Sequence, residues 1–241
     1  TAGAGLVTVA TPKDAADENA AHLTAVMLRE ADAAADLSAM LADPRFTAAL
    51  IGPGAGVGDA TRAKTLAVLA SGAAAILDAD ALTSFEQQPE TLLAKLRRDD
   101  VLTPHWGEFS RLFPGEAALE GGRLAAAQSA ARRANALVVL KGADTIIAAP
   151  DGRSAINSNA PFDLATAGSG DVLAGMITGL RATGMAGFEA ACAGVFLHGL
   201  CGELSGPGLI ADDLINSIPE ALKTLRNSAM VMPLQPGAHG R

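Results

Sequence analysis

The segment Ala167-Gly168-Ser169-Gly170-Asp171 runs directly into VLAGMITGL, in which Val172, Leu173, Met176, Ile177 and Leu180 form one apolar stripe at helical spacing. Glycines therefore stand at a helix N-terminus. Unpaired backbone N–H groups and the helix dipole make such a terminus an anion site, and small residues let a phosphate come close. Asp171 falls in the same first turn, where the dipole favours its ionised form, so it can accept a proton or help hold a cation beside a phosphate. A plain helix cap accounts for the same aspartate, and the residues alone leave both readings open.

Other chemistry-bearing residues follow strand-like runs. After TAALI (47–51) comes Gly52-Pro53-Gly54-Ala55-Gly56, after AAAIL (73–77) comes Asp78-Ala79-Asp80, after VLT (101–103) comes Pro104-His105-Trp106-Gly107-Glu108, and after ALVVL (136–140) comes Lys141-Gly142. In an open parallel sheet the ligand crevice lies beyond the carboxyl ends of the strands, so these residues are expected along one edge. The turn Lys141-Gly142-Ala143-Asp144-Thr145 offers backbone to a nucleotide and an ammonium to phosphate, although an ordinary β-turn explains its Gly and Asp equally well. His105 sits on a loop where a neutral imidazole can bond a polar substrate. His22 and His198 lie in helical segments and His239 near the end of the chain, and no role is assigned to them.

Several familiar sites are excluded by spacing. Glycines at 52, 54, 56 and 58 lack the offset of the dinucleotide fingerprint, no Gly-Lys-Ser/Thr occurs, and a calcium loop starting at Asp78 would need a glycine where Thr83 stands and a carboxylate where Pro89 stands. Lys and Arg number 18 against 26 Asp and Glu, a net charge of −8, with no basic cluster, which argues against nucleic acid as a partner. With 49% hydrophobic and only 3% aromatic residues, the core must be built from Ala, Leu, Val and Ile. Cys192 and Cys201 are nine residues apart in one helical stretch, hence on opposite faces, and cannot pair there. Two thiols without metal-ligand spacing suit a reducing compartment, and no apolar run spans a bilayer, so a cytoplasmic protein with no membrane contact is expected.

The elements that must position these groups follow from periodicity. Strands are expected at 5–10, 47–51, 73–77, 101–103 and 136–140, followed by a hairpin from 145–149 and 154–158 around Pro150-Asp151-Gly152. Helices are expected at 59–71, 108–113, 121–134, 171–183, 187–204 and 211–227, the last interrupted by Pro219. The pattern is that of an α/β protein with a mostly parallel sheet between helices, one domain over residues 1–232 and a loose tail at 233–241.

AGAGLVTVATP, IGPGAG, LDADAL, LTPHWGEFSRL, VLKGADTIIAAPDG, NSNAPFDLATAGSGDVLAGMITGL and AACAGVFLHG together resemble one family, in its order and over nearly the whole chain: the ADP-dependent NAD(P)H-hydrate dehydratases. These have the ribokinase-like three-layer α/β/α fold. A lone Gly-x-Gly-Asp would mark ribokinase-like kinases in general, but TPHxGE with LDADAL and KGxxT is specific to the dehydratases. The resemblance implies cofactor repair. NADHX or NADPHX, in which water has added across the 5,6 double bond of the reduced nicotinamide, is phosphorylated on its hydroxyl by ADP (ATP in eukaryotic relatives), and loss of phosphate restores NAD(P)H and leaves AMP.

Carried over residue by residue, the resemblance implies Asp171 as the base acting on the substrate hydroxyl, and Gly170 at the nucleotide. Lys141, Gly142, Ala143, Asp144 and Thr145 would cradle AMP. Gly56 and His105, with Asp171, would line the hydrate pocket, and Asp78 or Asp80 would be weaker neighbours. It further implies Mg²⁺ beside the phosphates, a homotetramer, and, in some relatives, fusion to an N-terminal epimerase domain. Relatives also carry a first strand and helix ahead of AGAGLV, which this chain is expected to lack. The alternatives are a ribokinase-like kinase of a vitamin precursor and a non-catalytic nucleotide-binding fragment.

Overall fold

From Ala74 to Ala149 the strand segments are apolar almost throughout, as strands covered on both faces must be, and alternation divides their side chains between two cores. Leu77, Leu102, Val138, Leu140 and Ile146 face one core, whereas Ile76, Val101, Leu137, Val139 and Ile147 face the other. The computed structural model describes residues 2–231, with side chains as far as 227. The expected tail at 233–241, and the expected domain end at 232, lie outside the described residues.

The strands are β1 (Thr8–Thr11), β2 (Met27–Glu30), β3 (Ala48–Ile51), β4 (Ala74–Leu77), β5 (Val101–Leu102), β6 (Leu137–Leu140), β7 (Thr145–Ala148) and β8 (Ser154–Asn157). β3 to β8 form one six-stranded sheet in sequence order. β3 to β6 are parallel, with Ala48 opposite Ala74, Ile76 opposite Val101 and Val101 opposite Leu137, and β7 and β8 return as an antiparallel hairpin. The helices are α1 (Ala16–His22), α2 (Ala34–Leu41), α3 (Asp59–Ala70), α4 (Asp80–Thr83), α5 (Pro89–Leu93), α6 (Trp106–Leu112), α7 (Pro114–Ala117), α8 (Gly122–Ala134), α9 (Ser169–Ala182), α10 (Gly187–Ser205) and α11 (Ala211–Val231).

The crossover helices from α3 to α8 deliver Val68, Leu82, Leu92, Phe109 and the alanine face of α8 to the first core. Helices α9 and α10 deliver Leu173, Ile177, Ala191 and Val195 to the second. Met176, Leu197, Cys201, Leu214 and Ile218 join α9, α10 and α11 in a third cluster. The result is the expected three-layer α/β/α arrangement with a mostly parallel sheet. No helix among the described residues is long and apolar enough to cross a membrane. Both cysteines are free on α10, Cys201 buried and Cys192 partly so.

Two expectations need correction. The strand expected at 5–10 is β1, Thr8–Thr11, and it pairs with β2 in a separate two-stranded parallel sheet rather than joining the larger one. Strand β2 escapes periodicity because its Met27-Leu28-Arg29-Glu30 is mostly exposed and carries no alternation. Pro219 does not interrupt α11, which continues through it. Both Pro219 and Ile215 are exposed, so the Ile215 carbonyl that loses its helical donor faces water at little cost.

At the amino ends of the central strands an ion pair between buried Asp100 and the partly exposed Arg97 ties the sheet. Asp100, 1% exposed, accepts from the backbone N–H of Ala75 and Arg97 and from the Arg97 guanidinium, which also donates to the carbonyls of Ser71 (2.8 Å) and Ala73 (2.6 Å). Removing the guanidinium strands a buried carboxylate. Arg97→Ala is therefore expected to lower the unfolding free energy by about 2–4 kcal/mol in urea titration, while leaving ligand affinity at the opposite edge unchanged.

Candidate active site

Because β3 to β6 are parallel neighbours in sequence order, the residues following them line up along one edge. Pairing persists past the strand ends: Asp78 N–H donates to the Ile51 carbonyl (3.1 Å), Thr103 to Leu77 (3.0 Å) and Lys141 to Pro104 (2.8 Å), which bridges Lys141 to His105. Gly52, Asp78, His105 and Lys141 are thus held in a row by sheet register.

At the centre of that row Lys141 Nζ donates to Asp78 Oδ1 at 2.7 Å. Asp78 is fully buried, and its Oδ2 has no hydrogen-bond partner among the described residues. The backbone is strained to present it. Ala79 has φ +44°, a left-handed conformation that costs a non-glycine residue about 1–3 kcal/mol, and it turns Asp78 and Asp80 to different neighbours. Gly52 has φ +131° and packs against the Asp78 carbonyl so closely that a β-carbon would overlap it. Asp80 Oδ2 accepts from the Gly56 N–H at 2.8 Å, and Thr61 Oγ bonds the Ala55 carbonyl, which together pin the glycine-rich loop over α3 and α4.

Facing this row is the first turn of α9. Gly168 takes φ +80° as its N-cap, the Ser169 N–H donates to Thr166 and the Val172 N–H to Gly168. The N–H groups of Gly170 and Asp171 meet no acceptor among the described residues. A β-carbon at Gly170 would lie 3.1 Å from Lys141 Nζ, so the ammonium lies beside the first turn of α9. The Asp171 carboxylate is exposed on the cleft and makes no capping bond. Its pKa is nonetheless raised, first by partial burial and next by the charge of Asp78, with Lys141 opposing and Asp80 adding. Partial burial and the neighbouring carboxylates thus act against the dipole effect expected to favour its ionised form.

The turn from Lys141 to Thr145 is closed by Thr145 Oγ donating to the Gly142 carbonyl (3.0 Å). Arg123, near the start of α8, holds it from beneath: its guanidinium donates to the carbonyls of Leu140 and Lys141 and pairs with the Asp144 carboxylate. That guanidinium fills the space a side chain at Gly142 would need. Gly142, Ala143 and Asp144 are exposed. His105 is the N-cap of α6. The His105 backbone N–H donates to Glu108 at 2.8 Å, and Nδ1 accepts from Gly107 N–H at 2.9 Å, so in the neutral ring the proton is on Nε2.

The structure thus brings Asp78, Asp80, Gly56, His105, Lys141 and the α9 terminus to one edge. It also shows supports that the sequence reading passed over. Glu108 completes the capping box at His105, which the His-x-x-Glu spacing could have indicated. Arg123 and Ser169 carry no local signal, and His198, assigned no role from sequence, is buried against Ser169. Asn159, on the loop leading to α9, donates to the Phe196 carbonyl (3.1 Å) and packs against Gly199.

Residues 1–220 match the family model for NAD(P)H-hydrate dehydratase of the Carb_kinase type. The chain is 38% identical over 240 residues to a bifunctional NAD(P)H-hydrate repair enzyme Nnr of Moorella thermoacetica, covering 93% of this chain and 45% of that protein. It is 44% identical over 158 residues to the corresponding enzyme of Thermofilum pendens, covering 63% of this chain and 30% of that one. It spans less than half the length of these bifunctional relatives. Among solved structures, an ADP/ATP-dependent NAD(P)H-hydrate dehydratase from Bacillus subtilis, co-crystallised with ATP and Mg²⁺ and soaked with CoA, superposes with a TM-score of 0.73 at 27% identity, over 92% of this chain and 82% of that one. An amide-lined helix terminus, a lysine pressed against it and a free carboxylate in its first turn are thus found in a chain that belongs to the ribokinase-like NAD(P)H-hydrate dehydratase family.

Proposed function

We propose that this chain is an ADP-dependent NAD(P)H-hydrate dehydratase, a lyase that returns NADHX or NADPHX to NAD(P)H with release of AMP and phosphate. The observation that carries the reading is the contact of Lys141 with Gly170, which sets an ammonium beside the unpaired N–H groups of Gly170 and Asp171. Two like-directed sources of positive potential at one point suit a phosphate tail. The B. subtilis structure with ATP and Mg²⁺ supports the same assignment.

Hydroxide leaves poorly at neutral pH, whereas phosphate leaves readily. Phosphoryl transfer depends mainly on position and charge neutralisation, which is what this edge supplies. Lys141 and the α9 amides orient the nucleotide phosphates. Gly142, Ala143, Asp144 and Thr145, braced by Arg123, lie along the AMP portion. Asp171 takes the proton of the substrate hydroxyl, and its raised pKa strengthens it as a base. Gly56 and the Nε2–H of His105 line the hydrate pocket from the loops after β3 and β5.

Among the described residues no three acidic, His or Cys side chains are arranged to hold a metal ion. That donor set fits magnesium carried by a nucleotide, since Mg²⁺ keeps several waters and takes one or two carboxylates besides phosphate oxygens. Asp80, whose Oδ1 accepts no hydrogen bond among the described residues, is the carboxylate placed to reach its shell. When bound, the ion would neutralise phosphate charge. The reading includes a single ribokinase-like domain over residues 1–232, a cytoplasmic location suited to two unpaired thiols, and a homotetramer whose contacts would cover exposed apolar residues such as Phe162 and Ile156.

Supplied with hydrate, ADP and Mg²⁺, the protein is expected to produce AMP and phosphate in step with the absorbance of reduced nicotinamide. A stable phosphorylated alcohol without that absorbance would instead identify a small-molecule kinase. Asp171→Asn is expected to lower kcat by roughly 10²–10⁴-fold, with ADP affinity by calorimetry changed by less than about threefold. Because the base must be ionised, kcat/KM should fall as pH drops through a pKa above the usual aspartate value. Asp80→Asn keeps an acceptor for Gly56 but removes a like charge, so the acid limb of the pH profile should move to lower pH.

A further inference from the structure

Helix α10 meets α9 closely where a β-carbon at Gly194 would lie 2.6 Å from Ile177 Cγ1. One helical turn further along the same face of α10 is His198, and since α9 and α10 run antiparallel as consecutive helices, that step leads back toward the start of α9. There His198 Nε2 lies 3.0 Å from both the carbonyl oxygen and the Oγ of Ser169, the first residue of α9. A carbonyl only accepts, so the neutral ring carries its proton on Nε2 and donates it to Ser169. His198 is 8% exposed and Ser169 4%. The next residue, Gly170, touches Lys141 on its other side.

Building on the activity proposed above, we infer that His198 is a positioning residue: by pinning Ser169 from behind, it fixes the first turn of α9 so that the Gly170 and Asp171 amides and the Asp171 carboxylate meet Lys141 and the substrate in register. Helix termini fray, and this one begins with two glycines in its first three positions, counting the cap, which hold a turn poorly by themselves. Ser169 and Val172 spend their N–H groups on local carbonyls, so the turn is formed, and the bonds from His198 tie its first residue to α10. Burial lowers the His198 pKa to about 4, the Ser169 carbonyl opposing and the Lys141 charge assisting, so the ring stays neutral at physiological pH. A neutral donor is what the place requires, because a second cation would face Lys141 across a single residue.

The test compares wild type with His198→Leu, which keeps the bulk without the donor, and His198→Gln, whose amide N–H reaches about as far as Nε2. His198→Leu should lower kcat roughly 30–100-fold, the cost of misplacing catalytic groups by about 1 Å, with KM for the hydrate within about threefold because Gly56 and His105 stand on other loops. His198→Gln should recover kcat to within about fivefold of wild type. Amide exchange at Ser169 and Val172, whose N–H groups are bonded in this turn, should quicken at least about tenfold in the Leu variant and return in the Gln variant. Wild-type kcat in His198→Leu, equal losses in both variants, or unaltered exchange at Ser169 and Val172 would overturn the inference. The exchange readout needs no turnover: should wild type process no hydrate, the activity reading fails while exchange in the three proteins still decides the role of His198.

Discussion

Lys141 sits where three carboxylates converge, and its charge is the condition on which the cleft exists. Asp78 is wholly buried, Asp171 feels both Asp78 and Asp80, and the Lys141 ammonium is the cation that opposes them, bonded to Asp78 at 2.7 Å. Unit charges about 4 Å apart near a protein surface interact by roughly 4 kcal/mol, so an edge carrying these acids without the lysine would take up protons or open. Asp78 and Lys141 also serve each other structurally. The buried carboxylate aims the flexible lysine stem across the sheet at the α9 terminus, and the ammonium makes burial of the carboxylate tolerable.

Everything else in the fold serves to bring those partners together. Asp78 follows β4 and Lys141 follows β6, two strands apart, with β5 between them keeping both in register. The Lys141 target on α9 lies on the opposite layer from the crossover helices, so the hairpin β7–β8 must first turn the chain across the sheet before α9 can present its N-terminus at the carboxyl edge. Small residues let the layers close. Alanines 126, 127, 130, 131 and 134 form the sheet-facing side of α8, and Gly194 lets α10 lie against α9. A chain with so few aromatic residues builds its core by close approach instead of by large side chains.

What could be read from the sequence follows from which signals are local. Strands β3 to β8 and helices α8 to α11 declare themselves by uninterrupted apolar runs or a 3.6-residue stripe, and the glycine–aspartate start of α9 declares itself because a phosphate-binding terminus needs small residues at fixed places. The β1–β2 sheet does not, since β2 is exposed and lacks alternation. The supports of the site are also silent. Arg123 lies 18 residues from Lys141 and His198 29 residues from Ser169, and neither separation leaves a pattern that a one-dimensional reading can find. Asp171 shows the same limit in electrostatics: the dipole of its own helix is visible in the sequence, whereas the burial and the Asp78 charge that oppose it belong to the folded chain.

The loops that line the cleft are tied down by contacts within the chain, and that bears on how it can act. The loop after β3 is tied to Asp80, the loop after β5 to a capping box, the turn after β6 to Arg123, and the start of α9 to His198. Ordering such segments at the moment of binding would cost affinity for each one, so anchoring them beforehand leaves more of the contact energy for the phosphates. The groups left unsatisfied are the ones a charged ligand would use: two amides on α9, and spare donor capacity on Lys141. Asp78 Oδ2, buried and without a partner, is the exception, because it costs about 1–3 kcal/mol and cannot itself reach solvent. That cost is understandable as electrostatic leverage. After the partial burial of Asp171 itself, the Asp78 charge is the next cause that raises Asp171 proton affinity, which would make that carboxylate a better base.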